Sequence, residues 1–168
     1  MSIINKVATS GLVSIDLEEW YPESELMSID IAEQLIEGLL LREKNFRTFI
    51  SENDWSQYQD KHVALFCSTD AIIPRWAWML LSTSLNPFAK TIVFGNTQTL
   101  VEELYREKIT TLNVEEYRDQ RVVIKGCSKK AVPVQAYVQL TARLSPVVKS
   151  IMYGEPCSTV PVFKRAKG

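Results

Sequence analysis

Four short apolar segments recur along the chain at nearly constant spacing. They occupy residues 63–67, 91–94 and 121–125, with a fourth inside 146–152. Segments that are apolar on both faces are typical of strands in a sheet that is covered on both sides. The spacing of about 30 residues fits strand–helix–strand units, whose strands run parallel. Residues 61–153 are therefore predicted to form a doubly wound, mostly parallel sheet.

Helical periodicity lies between these segments. Apolar residues repeat every three or four positions over 71–85, around 100–105 and over 134–144. Pro74 and Pro133 are compatible with this, because a first helical turn has backbone N–H groups without intrahelical partners. The sequence thus predicts a three-layer α/β fold, with helices on both faces of one sheet.

The first third of the chain is predicted to add an N-terminal helix and one or two edge strands. Residues 13–17 alternate between apolar and polar side chains, as a half-buried strand does, and residues 26–29 fit a short partner strand. Asp30 and Glu33 resemble a capping box ahead of a helical region, which Gly38 is expected to bend or split. No internal repeat is evident.

Composition narrows the class of protein. The 168 residues are 46% hydrophobic and 23% charged, which favours one globular domain over residues 1–168 and argues against disorder. The net charge of −1 gives nucleic-acid binding no support. No segment approaches the roughly 20 apolar residues of a membrane span, and the N-terminus lacks the pattern of a signal peptide. A cytoplasmic protein with reduced cysteines is expected.

The three cysteines are the strongest candidates for chemistry. Cys67, Cys127 and Cys157 each follow a predicted strand, and the carboxyl ends of parallel strands meet at one edge of a sheet. Three thiolates there suit zinc, iron or an iron–sulfur cluster. Asp70 is a candidate fourth ligand. The alternatives are Glu155, His62, Asp16, Glu18 and Glu19. The absence of a short C-x-x-C motif weakens the zinc interpretation.

Other interpretations of the same residues stay open. The cysteines fit buried packing residues, or one of them fits a nucleophile. His62 lies at the opposite end of its strand from Cys67, which disfavours a Cys–His pair. Residues 68–70 precede a helix and could bind an anion, but the charge of Asp70 opposes this and favours a capping role. No glycine-rich nucleotide-binding motif occurs.

The tryptophans are predicted to be structural. Trp76 and Trp78 lie two positions apart on a helix and so point in different directions. An exposed tryptophan on that helix would favour a homodimer.

Several long strings resemble an uncharacterised bacterial family, catalogued as domain of unknown function 2480. They are residues 11–18 (GLVSIDLE), 54–58 (DWSQY), 67–77 (CSTDAIIPRWA), 121–127 (RVVIKGC) and 149–162 (KSIMYGEPCSTVPV). The resemblance covers nearly the whole chain. It implies a protein encoded beside iron–sulfur cluster assembly proteins, which are then the expected partners, but it carries over no catalytic residue.

Three functional hypotheses follow. The first is an accessory factor of iron–sulfur or sulfur metabolism, with a site made of Cys67, Cys127 and Cys157. The second is a non-enzymatic protein-binding or scaffold domain with structural cysteines. The third is a small-molecule enzyme with a cysteine nucleophile.

Overall fold

A computed structural model of the chain describes residues 5–7, 11–22, 25–126, 129–155 and 157–168. Its strands are β1 (Asn5–Val7), β2 (Leu12–Asp16), β3 (Leu26–Asp30), β4 (His62–Phe66), β5 (Thr91–Phe94), β6 (Arg121–Lys125), β7 (Ser150–Glu155) and β8 (Ser158–Lys164). Its helices are α1 (Glu43–Glu52), α2 (Arg75–Leu85), α3 (Thr97–Thr111) and α4 (Val134–Leu144). Short 3-10 turns occupy Leu17–Trp20, Ile31–Gln34, Trp55–Tyr58 and Val114–Tyr117.

The chain forms two compact units. Residues 22–101 make one of them, here called the inserted unit, and it interrupts the other in sequence. Residues 1–21 and 102–168 make the second, here called the split unit. That the whole chain acts as one domain stays a prediction.

The inserted unit is a three-stranded parallel sheet in the order β3-β4-β5. Strand β4 is central and buries Val63 and Leu65, because a strand with neighbours on both sides and helices near its faces has no wet side. Helix α2 buries Leu81 and Leu85 in the same cluster, and α1 adds Phe46. These positions follow the helical period that the sequence displays.

The split unit contains a five-stranded sheet in the order β1-β2-β6-β7-β8. Strands β2, β6 and β7 are parallel, and antiparallel β1 and β8 cover the two edges. Val122 and Val123 of central β6 are fully buried, as are Leu140 and Leu144 of α4. The apolar run on β6 is thus explained by burial on both faces.

The α/β class with parallel strands flanked by helices is confirmed, but the strands are distributed differently from the prediction. The segments at 63, 91, 121 and 147 do not share one sheet, because β4 and β5 belong to the inserted unit while β6 and β7 belong to the split unit. Strand β3 pairs with β4 and not with β2. Gly38, at φ +70°, lies between the turn Ile31–Gln34 and α1, so the predicted helical region is split.

The two units repeat one architecture, although no internal repeat was evident in the sequence. Each runs from a strand ending in aspartate through a 3-10 turn to a later helix, a second 3-10 turn, a strand, a helix and a parallel strand. Asp60 and Asp119 both have φ +60° after the second turn, a conformation that aspartate tolerates better than most residues. Their N–H groups donate to the carbonyls of Phe88 and Val147 at 2.9 and 3.0 Å.

The match continues without a gap at the offset that separates Asp60 from Asp119. Pro74 and Pro133 are the N-caps of α2 and α4, and Gly95 and Gly154 follow or end the last parallel strand at positive φ. The strand-and-turn segments Leu12–Asp16 and Leu26–Asp30 match in the same way, since both carry Ser-Ile-Asp at their ends. We conclude that the protein contains an internal duplication in which one unit is inserted into the other.

Candidate functional site

The carboxyl edge of the inserted unit is closed by one of its own carboxylates. Asp30 Oδ1 accepts hydrogen bonds from the backbone N–H of Ala32, which caps the following turn, and from the backbone N–H of Ser68 after β4, both at 3.0 Å. Burial raises the pKa of Asp30, but the hydrogen bonds from Ser68 and Ala32 outweigh it and hold the pKa below its ordinary value. The carboxylate is therefore charged at neutral pH.

The split unit closes the same edge with a different residue. Glu18 Oε1 accepts from the backbone N–H groups of Lys129 and Lys130, at 2.6 and 3.2 Å, in the loop after β6. Asp16, which matches Asp30, caps the turn that carries Glu18 through a bond of 3.0 Å from the Glu18 N–H. Tyr105 of α3 fixes this turn from below, since its hydroxyl donates to the Leu17 carbonyl at 2.7 Å.

These contacts decide what the two edges can bind. In open parallel sheets, ligands bind outside the carboxyl ends of the strands, and anions bind to free backbone N–H groups there. Here the N–H groups of Ser68, Lys129 and Lys130 already donate to carboxylates of the chain. A phosphate would have to displace a carboxylate from each place. The arrangement adds a second reason, beside the charge of Asp70, against an anion site at residues 68–70.

Two of the cysteines follow strands of different sheets, and not strands of one sheet as the sequence predicted. Cys67 follows β4 in the inserted unit, half-buried, with its Sγ 3.4 Å from the Thr69 hydroxyl. Cys157 lies exposed between β7 and β8 in the split unit. The premise that three thiols share one edge of one sheet is therefore wrong. Cys127 lies outside the described residues, so a metal site that includes it stays a prediction.

The candidate fourth ligands also have other roles. Asp70 is exposed and does not cap α2, whose N-cap is Pro74. His62 begins β4, where its Nδ1 lies 2.9 Å from the Thr91 hydroxyl and its Nε2 lies 3.2 Å from Glu25. Within the described ranges, no three His, Cys, Asp or Glu side chains are arranged to hold a metal.

An apolar groove lies on the surface of the split unit. It has a volume of about 640 Å³ and lies between one side of α4 and strands β7 and β8. Its lining is apolar apart from the hydroxyls of two tyrosines, a threonine and a serine. The lining residues are Ile124, Val134, Tyr137, Val138, Thr141, Ala142, Ser145, Ile151, Met152, Tyr153 and Val162. No lining residue carries a charge at neutral pH.

Large apolar side chains stand exposed along this groove. Val134, Val138 and Val162 are 77%, 57% and 52% exposed. Single exposed apolar residues are common on protein surfaces, whereas a contiguous group of them marks a binding surface. Tyr137 and Tyr153 close one part of the groove with an edge-to-face contact at 5.9 Å. The sequence held one signal of this: Val134 and Val138 make the apolar stripe of α4 wider than its core face requires.

The matched surface of the inserted unit differs. Trp78 and Phe94 make the equivalent edge-to-face contact at 5.0 Å. The inserted unit has no strand in the position that β8 holds, as far as the described residues show.

Among the described residues, no helix combines the length and the apolar character that crossing a membrane requires.

Comparison with known proteins gives a family and nothing more specific. A family model described as "Protein of unknown function (DUF2480)" matches residues 1–165. No curated protein and no solved structure gave a match.

Proposed function

Since the chain belongs to this uncharacterised family, its role has to be argued from its own residues, and we propose a non-enzymatic protein-binding domain. In this proposal, the groove between α4, β7 and β8 receives an amphipathic helix of a partner protein. The iron–sulfur assembly proteins expected from the resemblance are the first partners to test.

The observation that carries the proposal is the uncharged, apolar lining of an open groove. Exposed valines on α4 and β8 face water at a cost, and a partner that covers them recovers about 1.5–3 kcal/mol for each fully buried valine. Because no lining residue is charged, the matching surface of the partner must be apolar as well. Hydroxyls at Tyr137, Thr141 and Ser145 supply a few polar contacts that can fix orientation.

A helix suits the dimensions of the groove better than an extended peptide. Helix α4 has 11 residues and so spans about 16 Å, enough for three turns of a partner helix to lie alongside it. An extended peptide gains most from a free and regular sheet edge, but the edge strand beside the groove, β8, is interrupted by Pro161 and pairs with β7 through a shifted register. Helix-in-groove binding needs only apolar anchors at helical spacing.

Catalysis has less support. At the carboxyl edges, where parallel sheets usually hold their substrates, the backbone N–H groups of Ser68 and Lys129 already donate to Asp30 and Glu18. The groove itself offers no acid, no amine and no thiol among its lining residues. A binding role uses what the groove has, and an enzymatic role needs groups that it lacks.

The experiment uses a displayed library of amphipathic 14-residue helices, selected on the full-length protein. The affinity of the selected peptides for the Val138→Asp and Met79→Asp variants is then measured by fluorescence polarisation. Met79 is the matched residue of α2, and both side chains are similarly exposed, at 57% and 66%. Loss of one buried valine contact is expected to weaken binding roughly 10- to 100-fold in Val138→Asp.

Met79→Asp is expected to bind as the wild type does, because Met79 is not among the residues that line this groove. Peptides that bind both variants equally, or a selection that yields no binder, would contradict the proposal. Circular dichroism of both variants checks that they are folded, since both positions are exposed and tolerate a charge.

A further inference from the structure

Strand β5 ends the sheet of the inserted unit without a partner on its outer side. The described strand order is β3-β4-β5, so the outer side of β5 is open in that part of the chain. An edge strand presents a row of unpaired N–H and C=O groups, which is a template for another strand.

The internal duplication shows what such an edge accepts. Strand β7 matches β5 in the split unit, and β8 covers its edge as an antiparallel strand. Tyr153 of β7 pairs with Val160 of β8 and is 36% exposed. Phe94, the residue that matches Tyr153, is 69% exposed. The inserted unit thus has the same architecture with the covering strand missing.

Strand β5 is short, with four residues, but it lacks the side-chain defences that an edge strand usually has. Its four residues, Thr-Ile-Val-Phe, include no charge and no proline, and its register with β4 is regular. Exposed edges in monomeric proteins are usually blunted by lysine, proline or a bulge. An undefended apolar edge is therefore expected to be covered in the working protein.

The geometry points to a second copy of this chain as the cover, through antiparallel pairing of β5 with the β5 of its partner. The Gly95 N–H donates to the Leu65 carbonyl of β4, so the alternating groups of Ile92 and Phe94 face outward. A two-fold axis at Val93 creates two equivalent pairs. In each pair, Ile92 of one copy lies opposite Phe94 of the other. Because the strand is uncharged, two copies meet without repulsion.

The dimer joins two three-stranded sheets into a six-stranded sheet. It covers Phe94 with the partner strand, as β8 flanks Tyr153 in the split unit. The pairing uses no residue that lines the groove at α4.

The test measures the mass of the full-length protein by analytical ultracentrifugation from 1 to 200 μM. The wild type is expected to dimerise. Phe94→Lys is expected to raise the dissociation constant of the dimer by at least tenfold, because it replaces both apolar contacts between Phe94 and Ile92 with a charge opposite Ile92 and adds repulsion between two diagonal lysines. Leu39→Lys is the control, since Leu39 has the same exposure of 69% but lies outside β5.

A cross-link locates the contact. Val93 faces its own copy across the axis as a non-hydrogen-bonded pair, where Cα atoms lie about 4.5 Å apart, within disulfide range. Val93→Cys is expected to form a disulfide-linked dimer on mild oxidation, beyond any that the wild type forms. A monomeric wild type at 200 μM, a Phe94→Lys dimer as stable as that of Leu39→Lys, or an uncross-linked Val93→Cys would each overturn the inference.

Discussion

The contact between Tyr105 and Leu17 offers the sharpest test of how the split unit is held together. Tyr105 is 2% exposed and Leu17 is fully buried. Water therefore cannot take the place of either partner in the hydrogen bond between the Tyr105 hydroxyl and the Leu17 carbonyl. Tyr105→Phe removes the donor and leaves the carbonyl buried without it. An acceptor left unsatisfied in this way costs about 1–3 kcal/mol of unfolding free energy.

The pH dependence of this cost follows from the state of the hydroxyl. Burial, followed by the charges of Tyr21, Glu18 and Asp16 in that order, raises the pKa of Tyr105 well above its ordinary value. The unfolded chain ionises near pH 10 while the folded one stays neutral, so the wild type loses stability above pH 10. At pH 11 this loss is about 1.4 kcal/mol, and the phenylalanine variant escapes it.

The assay is urea unfolding of both proteins, followed by circular dichroism at pH 7, 9, 10 and 11. We expect a gap of about 1–3 kcal/mol at pH 7 that narrows by about 1.4 kcal/mol at pH 11. Tyr58, whose pKa burial also raises, is present in both proteins and cancels from the difference. A gap that stays constant with pH, or no gap at pH 7, would refute the reasoning.

Two further predictions concern the carboxyl edges and the cysteines. Asp30→Ala is expected to cost about 0.5–1 kcal/mol more than the matched Asp16→Ala, because it loses the Ser68 contact as well as a cap. Equal costs in urea unfolding would contradict this. Protein purified without oxygen and without a metal-affinity step is expected to hold far less than one metal or labile sulfide per chain. Near-stoichiometric zinc or iron that is lost in Cys67→Ser would instead favour the three-cysteine site.

The sequence predicted the elements of the fold well because each element is a local pattern. The apolar runs became β4, β5 and β6, and Pro74 and Pro133 mark the starts of α2 and α4. Periodicity and turn chemistry act over a few residues, so they can be recognised without knowing the rest of the chain.

The assignment of strands to sheets could not be predicted in this way. Evenly spaced strand–helix units look the same whether they build one sheet or two, because pairing depends on contacts distant in sequence. The duplication was hidden for a related reason. Many of its matched positions, such as Trp76 with Gln135 and His62 with Arg121, keep their place in the fold and not their chemistry.

The candidate site in the structure differs from the site that the sequence predicted, and this difference also has a physical reason. The sequence predicted a site at the carboxyl edge of the sheet, because the cysteines and several acidic residues follow the predicted strands along the chain. It could not show that Glu18 reaches the N–H groups of Lys129 and Lys130, since these residues are far apart along the chain. The wide apolar stripe of α4 indicates one side of the groove, but the exposure of Val162 on β8, which forms the other side, could not be predicted from periodicity.

The proposed role of the groove is tested most directly by a hydrogen–deuterium exchange footprint of the full-length protein with a selected helical peptide. The account predicts added protection in residues 134–145 and 150–164, which carry α4, β7 and β8. Protection concentrated at the turn Leu17–Trp20 and at residues 126–130 would contradict it, because the partner would then bind at the carboxyl edge and displace Glu18.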